Sequence, residues 1–270
     1  MTGAPHAVRW AQALAGWGIP QALVDAAPES PWVHDTAMFA VDESVPRQSV
    51  SARVAREALA PSGTVLDVGV GGGRSSFGLV PEAERIIGVD GSVHMLASFR
   101  EAGLAAGVPV LGVLGRWPDV APEVGPADVV VCHHVLYNVA DIDPFLRALT
   151  NHAVRRVVVE ITSVHPTSGY NDAWLHFHGL RRPSEPTWED AVAVAQELGV
   201  DVQVELSLRP SMSASASDPV RAVPFIRRRL CLPADRDAEI AEWLEAHPMR
   251  NPPTVATLWW PGAARQVRGS

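Results

Sequence analysis

The sequence has no lysine, and arginine supplies all 22 of its basic residues. Aspartate and glutamate together number 30, so the formal net charge is −8 at pH 7. A chain with this balance lacks the clustered positive field that nucleic acids and anionic membrane surfaces attract. The missing lysine also excludes a P-loop, because the Walker A motif requires Gly-Lys followed by serine or threonine. We therefore expect neither a nucleic-acid partner nor an ATP-type phosphate loop.

Cysteine and long apolar runs are scarce as well. The two cysteines, Cys132 and Cys231, lie far apart in apolar stretches. Neither a disulfide framework nor a cysteine-ligated metal site is indicated, which fits a reducing compartment. No window reaches the roughly 18 consecutive apolar residues of a membrane span, and the N-terminus lacks a signal-peptide pattern. The sequence therefore predicts a cytoplasmic protein without a membrane partner.

What the sequence does contain is a series of short apolar runs of strand length. Runs rich in valine and isoleucine, without alternation, are typical of strands buried on both faces of a parallel sheet. Five such runs are Val65–Val68, Ile86–Val89, Val110–Leu114, Val129–Cys132 and Val157–Ile161.

Helix-like stretches separate these runs. The segment Pro46–Ala60 has apolar residues at helical spacing, and Asp143 is placed as a helix N-cap with Pro144 at the first helical position. Strand and helix in repeated alternation predict a doubly wound α/β fold. Val200–Leu208 alternates strictly and predicts a half-exposed strand near an edge, with Thr254–Trp260 as its antiparallel partner.

Two segments rich in Trp, His, Pro and Arg lie outside this alternation, residues 1–45 and 163–188. In the first, Trp10, Leu14 and Trp17 have the spacing of a helix face docked on the core. The second ends at Thr187, where a capping box with Asp190 begins the next helix. We expect a single domain with a core at about 46–162 and 189–262, and with both segments as cap elements that form the substrate pocket.

Four glycines occupy five positions of the stretch VLDVGVGGGRSS, Val65–Ser76. A glycine-rich turn between a strand and a helix brings a ligand close to the backbone. The dinucleotide fingerprint G-x-G-x-x-G matches Gly69 and Gly71, but its third glycine falls on Arg74. That glycine normally permits close packing of helix on strand, so a dinucleotide site is disfavoured.

The spacing D-x-G-x-G-x-G fits without exception, on Asp67, Gly69, Gly71 and Gly73. In this stretch the sequence resembles the class I S-adenosylmethionine-dependent methyltransferases, whose first motif has this form. The resemblance implies a Rossmann-like, mostly parallel seven-stranded sheet with a terminal antiparallel strand pair and helical cap elements. It also implies that the loop, Gly72 included, holds the amino-acid tail of the cofactor. Asp67 would then bind the ammonium directly or through water.

The next stretch, IIGVDGSVHML, extends the resemblance. Asp90 comes 23 positions after the aspartate of the first motif, at the end of the second strand. An acid there can accept hydrogen bonds from both ribose hydroxyls, in this family as in NAD enzymes. With Ser92 and Met95 it forms the run D-x-S-x-x-M-L that is common in small-molecule methyltransferases. The resemblance implies that Gly91 and Ser92 line the cofactor site and that Met95 packs on the adenine, although ordinary helix core also explains Met95.

The third and fourth motifs are looser. After the third strand, Arg116 and Trp117 stand where many relatives have Gly-Asp-Ala, so we expect the adenine to be contacted by backbone or by stacking on Trp117, with Arg116 alongside. His133 and His134 follow the fourth strand, beside the expected sulfonium. Histidine titrates near neutrality, so either can serve as a general base, and His133 can instead bind the cofactor.

Other polar clusters have simpler explanations. His176 and His178 are too close for two ligands on one helix face, and no metal site is predicted from them or from His165. The arginines at 181–182 and 227–229 either bind an acidic substrate or pair with carboxylates such as Asp237.

The sequence thus predicts methyl transfer from S-adenosylmethionine to a small organic acceptor. Transfer is an in-line displacement, to which holding the reactants about 3–3.5 Å apart contributes much of the acceleration. Two alternatives stay open. One is a non-catalytic S-adenosylmethionine-binding or sensor protein, and the other is an NAD(P)-dependent oxidoreductase.

Overall fold

The computed structural model describes residues 5–32, 48–208, 219–247 and 254–264. Within them, seven strands form one sheet in the order β3-β2-β1-β4-β5-β7-β6. The strands are β1 (Gly63–Val68), β2 (Ala83–Asp90), β3 (Val110–Leu114), β4 (Ala127–His133), β5 (Ala153–Thr162), β6 (Gln203–Leu208) and β7 (Thr254–Pro261). The first five are mutually parallel, whereas β7 runs antiparallel to both β5 and β6. The predicted fold class is confirmed.

Helices cover this sheet and extend from it. The described helices are α1 (Pro5–Ala15), α2 (Gln21–Ala26), α3 (Val50–Leu59), α4 (Arg74–Phe77), α5 (Val93–Ala106), α6 (Ile142–His152), α7 (Asn171–His178), α8 (Trp188–Glu197), α9 (Pro219–Arg229) and α10 (Asp237–Ala246).

The central strands are apolar on both faces, as the unbroken valine runs predict. Leu66 and Val130 belong to one buried cluster, beneath α6 and α8, whereas Val65 and Val129 belong to another, beneath α3 and α5. Successive residues of a strand point to opposite faces, so one run contributes to both clusters. A third cluster, formed mainly by α7, α9 and α10, includes Trp174 and Trp243.

The predicted start of α6 was wrong by two residues. The helix begins at Ile142, so Asp141 occupies the cap position and Pro144 is the third helical residue. Proline is tolerated there because the first backbone N–H groups of a helix have no intrahelical acceptor. Asp143 lies inside the first turn, where its carboxylate pairs with Arg147 at 2.6 Å.

The edge strand β6 keeps the predicted alternation but not the full burial of its apolar face. Val202 and Val204 pack against the first cluster. Leu206 and Leu208 lie further along the same face and are 51% and 80% exposed. In this part of the strand the alternation did not predict burial, because Ser207 on the opposite face is half-buried.

The helix predicted around Trp10 is confirmed as α1. Trp10 is 1% exposed, its indole N–H donates to Val139 O at 2.8 Å, and its ring stacks on Tyr137. Trp17 lies beyond the end of the helix and donates to Glu185 O at 2.6 Å. The N-terminal segment therefore packs against residues 163–188, as expected, while its residues 1–4 and 33–45 lie outside the described residues.

Candidate functional site

Polar side chains gather where four neighbouring parallel strands reach their carboxyl ends. Asp67 lies beside the end of β1, Asp90 ends β2, His133 ends β4, and Glu160 lies near the end of β5. Strand β1 lies between β2 and β4, and the register pairs His133 with Glu160. Ligands of doubly wound sheets bind at this edge, so these side chains define the candidate site.

The glycine loop turns across this edge. Gly69 has a φ of +77°, and a Cβ built there would lie 2.4 Å from the Val135 side chain, so the loop touches the segment that follows β4. Gly71 differs, because a Cβ built there meets no heavy atom within 4 Å. The loop is therefore closely packed at Gly69, and at the buried Gly72 and Gly73, but open at Gly71.

Asp67 is fully buried, with an exposed fraction of 0%. Its Oδ2 accepts hydrogen bonds from the hydroxyls of Ser75, at 2.8 Å, and Ser76, at 2.7 Å. Its Oδ1 is buried and has no partner among the described residues. Burial raises the pKa of Asp67 to about 6, although the two serine hydrogen bonds act to lower it. An unpaired buried carboxylate oxygen is destabilising unless a donor reaches it, so Oδ1 fits a cationic N–H donor of a ligand.

The Asp90 carboxylate links the glycine loop to the residue that precedes α5. Its Oδ2 accepts the backbone N–H of Gly71 at 2.9 Å, and its Oδ1 accepts that of Ser92 at 2.8 Å. Each carboxylate oxygen has two lone pairs, so each can accept one further hydrogen bond. The carboxylate can therefore still receive two ligand hydroxyls.

The remaining predicted cofactor residues divide into two groups. Met95 is half-buried and belongs to none of the apolar clusters of the described residues, so helix core does not explain it. Arg116 lies beside Gly91, whose added Cβ would be 4.0 Å from the arginine Cγ. Trp117, in contrast, is 8% exposed and packs edge-on against His152 in the first cluster. Arg116 thus lies beside Gly91 and Met95 lies in the first turn of α5, whereas Trp117 lies in the core.

The two predicted histidines differ in their surroundings. His133 has a buried Nε2 with no partner among the described residues, and burial lowers its pKa. The His134 side chain is 42% exposed, and its Nε2 lies 3.1 Å from Glu160 Oε1. Ser51 on α3 donates to the other carboxylate oxygen of Glu160 at 2.6 Å. Burial acts to raise the pKa of Glu160, but the hydrogen bond from His134, the charges of the histidine pair and Ser51 hold it well below its usual range.

Sequence reasoning missed Glu160, Ser51 and the serine pair that binds Asp67. Glu160 had a visible signal, since it is the one acid in the apolar run VVVEIT at the end of a predicted central strand. Ser51 had none, because its partner lies 109 positions away in sequence.

The histidines of residues 163–188 each pack against other groups and do not come together as a cluster. His165 stacks on Trp17 with ring centroids 3.9 Å apart, and burial lowers its pKa to about 4. His178 lies 2.6 Å from Leu230 O, and His176 packs edge-on against Phe177. In the part of the chain that the structure describes, no three His, Cys, Asp or Glu side chains are arranged to hold a metal ion.

The arginine cluster at 227–229 pairs with carboxylates, which is one of the two predicted alternatives, whereas Arg182 follows neither. Arg227 pairs with Asp237 at 2.9 Å and with Glu29 at 2.7 Å. Arg182 instead donates to the backbone carbonyls of Trp17 and Gly18, and its guanidinium lies over the Trp17 and Trp174 rings.

Comparison with known proteins agrees with this geometry. Residues 65–157 match the family model described as a methyltransferase domain, which spans the sheet edge from β1 into β5. Residues 65–157 of this chain are therefore similar to a methyltransferase domain. The resemblance to class I methyltransferases inferred from the glycine loop is confirmed. No curated protein is significantly similar to the chain in sequence.

Several solved structures share the fold of this chain. A putative methyltransferase from Bacillus halodurans is 13% identical, with a TM-score of 0.54 over 82% of this chain and 99% of its own. The YcgJ protein from Bacillus subtilis is 16% identical, with a TM-score of 0.53 over 78% and 97%. Magnesium protoporphyrin IX methyltransferase from Synechocystis, solved with bound S-adenosylhomocysteine, is 16% identical, with a TM-score of 0.52 over 93% and 94%. Likeness at these identities establishes the fold alone. None of the described helices is long and apolar enough to cross a membrane.

Proposed function

We propose that this protein is a methyltransferase that uses S-adenosylmethionine to methylate a small organic acceptor. The observation that carries the proposal is the open backbone at Gly71, held by the Asp90 carboxylate, inside the segment that matches the methyltransferase family. The family match also favours this function over an NAD(P)-dependent oxidoreductase.

The residues at the sheet edge fit the parts of S-adenosylmethionine. Asp67 Oδ1 suits the ammonium, because it is a buried acceptor without a donor. The free lone pairs of Asp90 suit the two ribose hydroxyls, and Met95 offers an apolar surface beside Ser92 for the adenine. When bound, the cofactor supplies a methyl group that is activated by a sulfonium. The protein's own part is to hold that group at the ends of β1 and β4 and to exclude water.

The acceptor pocket in this proposal is formed by the N-terminal helices and residues 163–188. Trp17 and His165 stack there, and Tyr137 lies edge-on to His165, with its hydroxyl donating to Thr162 O at 2.9 Å. Aromatic walls with a few polar groups are the usual composition of a small-molecule site. The whole chain then acts as one catalytic unit, and its free, buried cysteines suit a reducing, cytoplasmic setting.

Gly71→Ala tests the cofactor site, with Gly107→Ala as its matched control. Both glycines have positive φ, +52° and +66°, and an added Cβ meets no protein atom at either. The backbone cost of alanine, roughly 1–2 kcal/mol, is therefore similar in the two variants. We expect Gly71→Ala to weaken S-adenosylhomocysteine binding by about tenfold or more in isothermal titration calorimetry, while Gly107→Ala leaves it unchanged. Equal affinities in both variants would place the cofactor elsewhere.

A second measurement separates an enzyme from a non-catalytic binding protein. Radiolabelled S-adenosylmethionine is incubated with the protein and a mixture of small phenols, amines and thiols, and labelled products are separated by chromatography. Labelled product that requires the protein excludes a pure sensor. Tight S-adenosylhomocysteine binding without any labelled product would favour the sensor.

A further inference from the structure

Glu160 holds His134 at two points. The backbone N–H of His134 donates to the Glu160 carbonyl at 2.7 Å, and its ring Nε2 lies 3.1 Å from the Glu160 carboxylate. His134 also has a φ of +58°, a left-handed conformation that is uncommon for a residue other than glycine. Such strained residues persist where the surrounding structure fixes them, and they cluster at functional sites.

The hydrogen bond determines which ring nitrogen of His134 carries the proton. An ionised carboxylate can only accept, so the neutral imidazole must be protonated on Nε2 and must present a lone pair on Nδ1. The side chain is 42% exposed, so a ligand can reach Nδ1. The available lone pair therefore faces outward from the Glu160 contact.

Glu160 is itself fixed from the opposite side. Ser51 donates to its second carboxylate oxygen at 2.6 Å, and the Ser51 hydroxyl lies 3.1 Å from that of Ser49, the N-cap of α3. Glu160 thus joins α3 to the end of β4 through side chains with little freedom to move. His133 has no comparable support, since its Nε2 is buried without a partner and burial disfavours its charged form.

We propose that His134 is the proton acceptor of the reaction, that Glu160 is its positioning residue, and that the methyl acceptor is a group that must lose a proton, for which a hydroxyl is the case described and tested below. This inference rests on the proposed function. As the acceptor oxygen forms its new bond to the methyl carbon, its proton passes to Nδ1 of His134. The electron pair of the broken carbon–sulfur bond remains on the sulfur of the product, and water later removes the proton from the imidazole. An acceptor with no proton to lose, such as a thioether, would need no such base.

The first test uses ¹⁵N-histidine-labelled protein and needs no substrate. Imidazole ¹⁵N–¹H correlation spectra distinguish the two neutral tautomers, and the His134→Gln variant assigns the His134 signals. We expect the wild-type protein to show His134 protonated on Nε2, Glu160→Ala to show a mixture of tautomers, and Glu205→Ala to match the wild type. Glu205 is the control because it is also a strand glutamate that contacts α3, through Arg53. Wild-type His134 protonated on Nδ1, or exchanging freely between tautomers, would overturn the proposal.

The second test compares two acceptors that differ in acidity, 4-nitrophenol and phenol, at pH 8. The former is largely ionised at this pH and needs no base, whereas phenol does. We expect Glu160→Gln to reduce transfer to phenol by about tenfold or more and transfer to 4-nitrophenol by much less. An equal loss with both phenols contradicts the role of Glu160. If Glu160→Ala does not fold, the isosteric Glu160→Gln replaces it in the first test, because a glutamine amide can either accept from or donate to Nε2 and so does not fix the tautomer.

S-adenosylhomocysteine binding, measured in every variant, separates this inference from the proposed function. Binding that is retained in Glu160→Ala while the tautomer changes supports both. Absence of binding in the wild-type protein defeats the proposed function, and the proposal about the acceptor with it, whatever the tautomer.

Discussion

Asp67 is an ionisable side chain that is fully buried in the folded protein. Its pKa of about 6 lies above the value of 3.8 expected for the unfolded chain. The folded state therefore binds this proton more tightly than the unfolded state does. The associated stability is fully present below pH 3.8 and is lost as the pH rises through about 6. Above both values, ionised Asp67 disfavours folding by roughly 3 kcal/mol.

Asp67→Asn should remove this pH dependence. Asparagine keeps an oxygen that can accept from Ser75 and Ser76 but carries no charge. Between pH 4.5 and 7.5 we expect the wild-type protein to lose about 2 kcal/mol relative to the variant, measured as the change in the difference of their urea unfolding free energies. The same variant should bind S-adenosylhomocysteine poorly, because its amide N–H group faces the cofactor ammonium. A stability difference independent of pH would contradict the burial argument.

For individual residues, the sequence predicted which side chains lie near the sheet edge better than it predicted what those side chains contact. Asp67, Asp90 and the histidine pair lie together because parallel strands end at one edge, which a strand pattern can show. The packing of Trp117 and the contact of Ser51 with Glu160 depend on distant segments. No local spacing of residues encodes such contacts.

Among the elements, α1 is the clearest case of a segment held by one side chain. Trp10 combines full burial, a ring stack on Tyr137 and a hydrogen bond to Val139 O. Both partners lie in the segment after β4, which also contains His134 and touches Gly69 through Val135. Helix α1 therefore packs against the segment after β4 and stabilises the backbone that carries His134.

Trp10→Ala should accordingly be far more damaging than Trp32→Ala. Trp10 is 1% exposed and Trp32 is 57% exposed, although both lie in the N-terminal segment. We expect the free energy of unfolding to fall by roughly 3–5 kcal/mol for the first and by at most about 0.5 kcal/mol for the second. Urea titration followed by far-UV circular dichroism measures both. Similar small effects would show that α1 is not anchored through this side chain.

The elements also show where sequence patterns are limited. The valine-rich strands were predicted because burial on both faces leaves an unbroken apolar run. The start of α6 was misplaced because Asp141 and Asp143 are both acceptable cap residues, and only the backbone geometry distinguishes them. The exposed end of β6 was missed because alternation shows which residues share a face but not how far along the strand that face is buried.

Across the whole molecule, the sheet order makes β7 an interior strand. It pairs with β5 on one side and β6 on the other, and its Trp260 is 1% exposed and donates to Thr150 Oγ1 at 2.9 Å. Strand β6 has no other partner among the described strands. The stability of both neighbours therefore depends on β7.

A chain that ends after His247 should lose this support. It retains β6, α9 and α10 but lacks β7, so β6 is detached and the apolar face around Val157 and Val159 is partly uncovered. We expect no cooperative urea transition for this chain and a normal one for a control that ends after Ala264. Cooperative unfolding of the shorter chain would mean that β6 can pair directly with β5.

The position of β7 also affects the order in which the sheet can form while the protein is being synthesised. Of the seven strands it is the last to leave the ribosome, and synthesis proceeds at about 5–20 residues per second. Until it emerges, the nascent protein presents β5 as an open, valine-rich edge, which is a template for pairing with other chains. We therefore expect slower synthesis of β7 to expose this edge for longer and to increase aggregation.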